Sequence, residues 1–218
     1  MPNLERRYMG KIEITKKVLG ICATNCYTVV DTETKEALII DPADRADVLI
    51  RDWKDKGVTP QAVLLTHGHF DHIGALTGVK KEYPDIKVYA AAEEKEVMES
   101  PALNLSSSFG AAFTAQADIY LEDGAEIEVL GRTCKCLLVP GHTKGGMCYY
   151  FPEENVVFTG DTLFCYSVGR TDFPTGDAKA LEEAIREKLF TLPDETLVLP
   201  GHDAQTMIGK EKKGNPYF

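Results

Sequence analysis

The sequence predicts a layered α/β fold, with β-sheets sandwiched by helices. Three observations carry that expectation. Four short apolar runs each lead straight into a turn that bears a polar residue. Stretches of helical pattern alternate with these runs and with other β-rich segments. Hydrophobic residues make up 44% of the 218 positions, enough for a sizeable core. A single domain over 1–218 is expected.

Segments 11–18, 25–31 and 36–41 read as strands. DRADVLIRDWKDK at 44–56 reads as a helix, with Gly57 as its stop. QAVLL is the next strand and runs into Thr66-His67-Gly68-His69. A helix over 73–83, a strand over 86–90 and a helix over 92–99 follow. From Ser100 to Ala117 there is no charge, which suggests a packed loop or a rim of the site. A strand at 126–130 precedes CLLV, which ends in Pro140-Gly141-His142. After a strand at 147–151, NVVF ends in Thr159-Gly160-Asp161. Asp177 is an N-cap candidate for a helix over 177–190. TLVL then ends in Pro200-Gly201-His202, and KEKKGNPYF reads as a solvated basic tail. Nearly continuous apolar runs suggest strands covered on both faces, with their ends along one sheet edge.

Bulk properties narrow the function. A net charge of −10 argues against a nucleic-acid groove, which needs a basic surface. No apolar run approaches the roughly 20 residues that span a bilayer, so no membrane association is expected. The start lacks an apolar stretch with a small-residue cleavage site, which points to the cytoplasm. There the six cysteines are expected to be reduced, as small buried hydrophobes. Cys134 and Cys136 alternate along a strand and so face one side.

All five histidines stand at candidate ligand positions. On an extended turn His67 and His69 point the same way and can grip one ion, with Gly68 leaving room between them. Asp71 and His72 follow a tight bend and suit a second ion. The assignment favoured is His67, His69 and His142 on one ion, Asp71, His72 and His202 on the other, and Asp161 as the bridge. Asp71 orienting a histidine is the alternative. Imidazole and carboxylate without thiolate suit zinc first, then iron or manganese. Two divalent ions bring the pKa of bound water down to roughly 7, and they polarise a carbonyl. The chain has no phosphate loop and no GxSxG elbow.

THGHFDH, PGH at 140–142, TGD at 159–161 and PGH at 200–202, in that order, resemble the metallo-β-lactamase superfamily, and within it the glyoxalase II-like hydrolases. The similarity runs from TNCYTVVD at 24–31 to the closing NPYF. It implies an αβ/βα sandwich of two mixed sheets flanked by helices, with metals at one edge. It also implies a binuclear hydrolase that cleaves a thioester, such as S-lactoylglutathione or a related acyl-thiol, by attack of a metal-bridging hydroxide. Asp71 and Asp161 are then the catalytic carboxylates. β-Lactam-cleaving branches best known for a cysteine ligand carry it where Asp161 stands, and Cys165 is not expected to replace it. Arg170 matches a basic residue that contacts glutathione in glyoxalase II, or else it pairs with Asp172. Lys144 either reaches the site mouth or is solvated. The added C-terminal helical domain of full-length glyoxalase II is expected to be missing. GRTDF also resembles iron-dependent persulfide dioxygenases, the alternative activity, although those usually have alanine in place of Phe70. A non-catalytic metal-stabilised binding module is the third reading.

Overall fold

A computed structural model describes residues 6–218. The first sheet holds seven strands in chain order: β1 (Arg6–Met9), β2 (Ile12–Leu19), β3 (Thr24–Asp31), β4 (Glu36–Ile40), β5 (Thr59–Leu64), β6 (Lys87–Ala91) and β7 (Ile119–Leu121). The β1–β4 pairings are antiparallel, whereas β4 to β7 run parallel. Parallel neighbours need crossovers. Helices α1 (Ala46–Asp55), α2 (Phe70–Ile73), α3 (Leu76–Glu82) and α4 (Lys95–Met98) lie in those connections.

The second sheet contains β8 (Glu126–Val129), β9 (Arg132–Leu138), β10 (Met147–Phe151), β11 (Val156–Gly160), β14 (Leu197–Pro200) and β15 (Thr206–Met207). Their order is β15-β14-β11-β10-β9-β8. A two-stranded hairpin, β12 (Leu163–Phe164) with β13 (Ser167–Val168), follows β11. Helix α5 (Ala178–Ala184) runs into a π-helical turn (Ile185–Leu189) and returns the chain to β14, parallel to β11.

Strand alternation builds four layers. Tyr27, Val29, Leu38, Ile40 and Leu64 from the first sheet meet Cys134, Cys136, Tyr149, Phe158 and Leu199 from the second. The alternate residues, such as Val30, Ile39 and Val63, turn outward onto Leu49, Trp53, Leu76 and Val79 of α1 and α3. On the other flank Val157 and Val198 meet Leu181, Ile185 and Ile208. Each fully buried side chain of this size stabilises by about 1.5–3 kcal/mol. The result is helix, sheet, sheet, helix. Among the described residues no helix is long and apolar enough to cross a membrane.

Several expectations hold in detail. Asp177 caps α5 by accepting from the Lys179 and Ala180 amides, both at 3.0 Å. Gly57 closes α1 with φ +64°. The cysteines are free and four of the six are buried, Cys134 and Cys136 together in the inter-sheet core, whereas Cys22 and Cys165 are only half-buried.

Other expectations are corrected. The four ligand-bearing strand ends do not lie along one sheet: β5 belongs to the first, whereas β9, β11 and β14 belong to the second. Strand β9 is not covered on both faces, since Lys135 is exposed and Leu137 and Leu138 are half-buried. The basic tail is not simply solvated. Ile208–Gly214 forms α6, in which buried Glu211 accepts from the Tyr166 amide and Asn215 Nδ2, both at 2.9 Å. Lys212 Nζ pairs with Asp194 at 2.7 Å, and Phe218 packs edge-on to Phe190. Strands β1, β7, β12, β13 and β15 have no counterpart in the sequence reading; with two to four residues each, they carry no periodicity.

Main-chain and side-chain bonds stitch the two sheets at the edge where the ligands leave. Tyr27 Oη donates to the Pro200 carbonyl at 2.7 Å, and Asn25 Nδ2 to the same carbonyl at 2.9 Å. Tyr149 Oη donates to Leu65 O at 2.8 Å, and Met147 N to Thr66 O at 2.8 Å. The turns after β5 and β14 are therefore held against the opposite sheet.

Candidate metal centre

The extended turn after β5 carries His67 and His69, and α2 presents Asp71 and His72. His142, Asp161 and His202 arrive on the turns after β9, β11 and β14. Their donor atoms gather into three overlapping groups, His67–His69–His142, His67–His72–Asp161 and Asp71–His72–His202, each within 4.8 Å. The first and last match the two sets read from the sequence. Asp161 stands between them: Oδ1 is 3.3 Å from His72 Nε2, and Oδ2 is 3.3 Å from His202 Nε2 and 3.6 Å from His142 Nε2.

Room for this approach comes from two glycines. Gly160 has φ +49°, and a Cβ there would lie 2.2 Å from Thr66 Oγ1. A Cβ on Gly201 would lie 2.3 Å from Asp161 Oδ1 and 2.7 Å from His72 Cε1.

Outer contacts decide which ring nitrogens face inward. His142 Nδ1 donates to Arg170 O at 2.7 Å, and His72 Nδ1 donates to Asp41 Oδ2 at 2.8 Å. Asp41 also accepts from the Thr66 amide at 2.8 Å and from Thr66 Oγ1 at 2.6 Å. With its proton committed there, Thr66 Oγ1 is an acceptor for His67 Nδ1, 3.2 Å away. The Nε2 atoms of His67, His72 and His142 are thereby aimed at the centre. Thr24 Oγ1 donates to Asp71 Oδ2 at 2.7 Å and fixes that carboxylate.

Electrostatics separates the two sets. Burial and neighbouring imidazoles push His67 well below the usual histidine range and His69 down to about 3. Burial also lowers His142. Burial opposes charge on His72 as well, but Asp71, Asp161 and Asp41 outweigh it and hold that ring well above its ordinary value. His202 is likewise raised to about 9 by Asp161 and Asp71 against its burial. Burial would raise both aspartates, yet the charged rings win, holding Asp71 at about 2 and Asp161 well below the carboxylate range.

These residues fit a divalent cation. Buried His67 Nε2, His72 Nε2 and Asp161 Oδ1 have no hydrogen-bond partner within the protein, a costly condition that a cation relieves. Three neutral imidazoles and two ionised carboxylates are already in ligand form, and protons on His72 and His202 hold places a cation would take.

The two candidate substrate-side residues pair with acidic neighbours. Arg170 forms a two-bond pair with Asp172, both bonds at 2.7 Å, and its guanidinium lies 4.0 Å over the Phe173 ring. Its carbonyl, rather than its charge, touches the centre through His142. Lys144 Nζ pairs with Glu96. The uncharged 100–117 segment is part core and part rim: Asn104 and Ser106 are buried, while half-exposed Phe109 stacks on Phe70 at 4.7 Å. Phe173 stands edge-on to His69 at 5.5 Å, and Phe164 to His202 at 6.2 Å. Asp41 and Thr66 went unread as site residues. Asp41 ends the run ALII as the ligands end their own strands, and that repeat was the available signal.

Comparison with known proteins places the chain in a family and a fold. The profile described as the metallo-β-lactamase superfamily matches residues 19–202. The probable metallo-hydrolase YqgX of Bacillus subtilis is 38% identical over 92% of this chain and 94% of its own length. The hydroxyacylglutathione hydrolase GloC of Haemophilus influenzae is 35% identical over 89% and 92%. The crystal structure of BLEG-1 B3 metallo-β-lactamase superposes with a TM-score of 0.89 at 40% identity, covering 94% of this chain and 98% of that one. TTHA1623 in a di-iron-bound form gives 0.82 at 36%, covering 93% and 99%.

Proposed function

Because the chain belongs to the metallo-β-lactamase superfamily, we propose that it is a binuclear metal-dependent hydrolase acting on a thioester, such as S-lactoylglutathione or a related acyl-thiol. The observation that supports two ions is the place of Asp161 between the sets: Oδ1 lies 3.3 Å from His72 Nε2, and Oδ2 lies 3.3 Å from His202 Nε2 and 3.6 Å from His142 Nε2. His67, His69 and His142 would hold one ion, Asp71, His72 and His202 the other, with Asp161 shared. Zinc is the first candidate for these ligands; the di-iron form of TTHA1623 supports iron as the second. When bound, such ions lower the pKa of water and polarise the scissile carbonyl.

The chain's own residues then do the following. Ionised Asp71 and Asp161 accept hydrogen bonds from the attacking water and orient it. Thr24 and Asp41 hold Asp71 and His72 still. Phe173, edge-on to His69 at 5.5 Å, gives the first set an apolar neighbour. The C–O bond forms, the C–S bond breaks, and the thiolate takes a proton from the spent water, leaving a carboxylic acid and a thiol. Likeness to GloC supports the thioester. Likeness to BLEG-1 favours a second reading, a β-lactam amide opened by the same attack.

The deciding experiment measures metal content by elemental analysis, together with turnover of S-lactoylglutathione and of a chromogenic cephalosporin. Two ions per chain with thioester turnover is the expected result. β-Lactam turnover alone would transfer the assignment to the second reading, and neither activity at full metal loading would defeat both.

A further inference from the structure

We infer that Glu94 is a positioning residue, one that couples the two turns bearing His67, His69 and His142 and sets that triad's affinity for its ion. The inference rests on the two-ion reading above. Glu94 ends the short 3-10 turn Ala92–Glu94 after β6 and is fully buried. Its Oε1 accepts from the Gly68 amide at 2.8 Å, midway between His67 and His69. Its Oε2 accepts from Thr143 Oγ1 at 2.9 Å, beside His142, and the Gly145 amide donates to the same carboxylate. One side chain therefore grips the ligand turn of the first sheet and a ligand turn of the second.

The chemistry calls for a carboxylate. Three donors converge, and a carboxylate alone among side chains of this length offers only acceptors. Glutamine at this position would turn an amide N–H toward a donor. The approach is close: a Cβ on Gly145 would lie 2.4 Å from Glu94 N and 2.5 Å from its Oε2. The charge is also placed where it is scarce. The second set has Asp71 as a ligand and Asp41 behind His72, whereas the His67–His69–His142 group contains no carboxylate of its own. Groups that orient ligands in this way typically alter metal affinity by about 10–100-fold.

The test uses zinc alone, competed with a chromogenic chelator, on the full chain in two backgrounds. His202→Ala leaves the ion of the triad as the reporter, and His142→Ala leaves the other. Glu94→Gln is expected to weaken zinc about 10–100-fold in the first background and less than about threefold in the second. Thr143→Val, which removes one donor and keeps the carboxylate, should shift the first background by a smaller factor and serves if Glu94→Gln fails to fold. Equal shifts in both backgrounds, or a lowered melting point of the metal-free protein with unchanged zinc affinity, would reduce Glu94 to a general structural role and overturn the inference. A wild-type chain that binds one zinc would sink the two-ion reading; the Glu94 comparison in the His202→Ala background would still stand or fall by itself.

Discussion

Asp41 Oδ2 accepts a hydrogen bond from His72 Nδ1 at 2.8 Å, and both side chains are buried. The bond fixes the ring so that Nε2 points to Asp161, and it makes the imidazole more basic. Asp41→Asn keeps the size but lets an amide meet the His72 N–H or the Thr66 donors. Metal affinity and kcat/KM are expected to fall about 10–100-fold. Full activity in this variant, checked by elemental analysis and steady-state kinetics, would refute the orienting role.

Asp161→Ala removes the group between the triads. The stripped site keeps five imidazoles and loses the carboxylate nearest His72 and His202. Metal content should drop toward one ion or none, and turnover should fall by orders of magnitude. The fold should persist, because Asp161 belongs to the site and not to any of the three apolar clusters. Far-UV circular dichroism checks that condition.

Gly201→Ala tests the tightness of the cluster. Its methyl would need space now held by Asp161 Oδ1, 2.3 Å away, and by His72 Cε1. Displacing either shifts a donor by more than the half-ångström that such sites tolerate. Loss of metal binding with retained secondary structure is expected. A variant that binds metal normally would mean that the turn after β14 yields easily.

Glu94 gives a pH dependence whose sign is determinate. Burial raises its pKa from 4.5 to about 7. Below pH 4.5 both folded and unfolded chains hold the proton, and the group contributes nothing. Between 4.5 and about 7 the unfolded chain loses the proton first, so stability falls as pH rises. Above about 7 the loss levels off, at about 3 kcal/mol. Urea titrations of metal-free wild type and Glu94→Gln at pH 5 and pH 8 isolate this group, since other titrations cancel. Wild type should lose stability relative to the variant over that interval. A flat difference would mean that Glu94 is not held in its buried, raised-pKa state.

Much of the site was legible because its chemistry is local. HxHxDH places four donors within six residues, and the three later turns each announce a ligand after an apolar strand. Asp41, Glu94 and Thr143 were not legible as a set. They stand far apart in sequence, and acidic or hydroxyl residues near strand ends carry no signal that separates an orienting group from a solvated one. Arg170 forms the Asp172 pair that was one of its two expected roles, and its carbonyl orients His142, which no side-chain pattern could announce.

The sequence by itself determined the layered α/β class, the seven candidate ligands and their division into two sets, because strand alternation and ligand spacing are properties of a few consecutive residues. Only the tertiary structure decided that the ligand turns come from two different sheets. It also decided that Asp41 and Glu94 stand behind them. Those relationships arise where Tyr27, Asn25 and Tyr149 bond across the sheet edges, and no local pattern encodes which distant strands will meet.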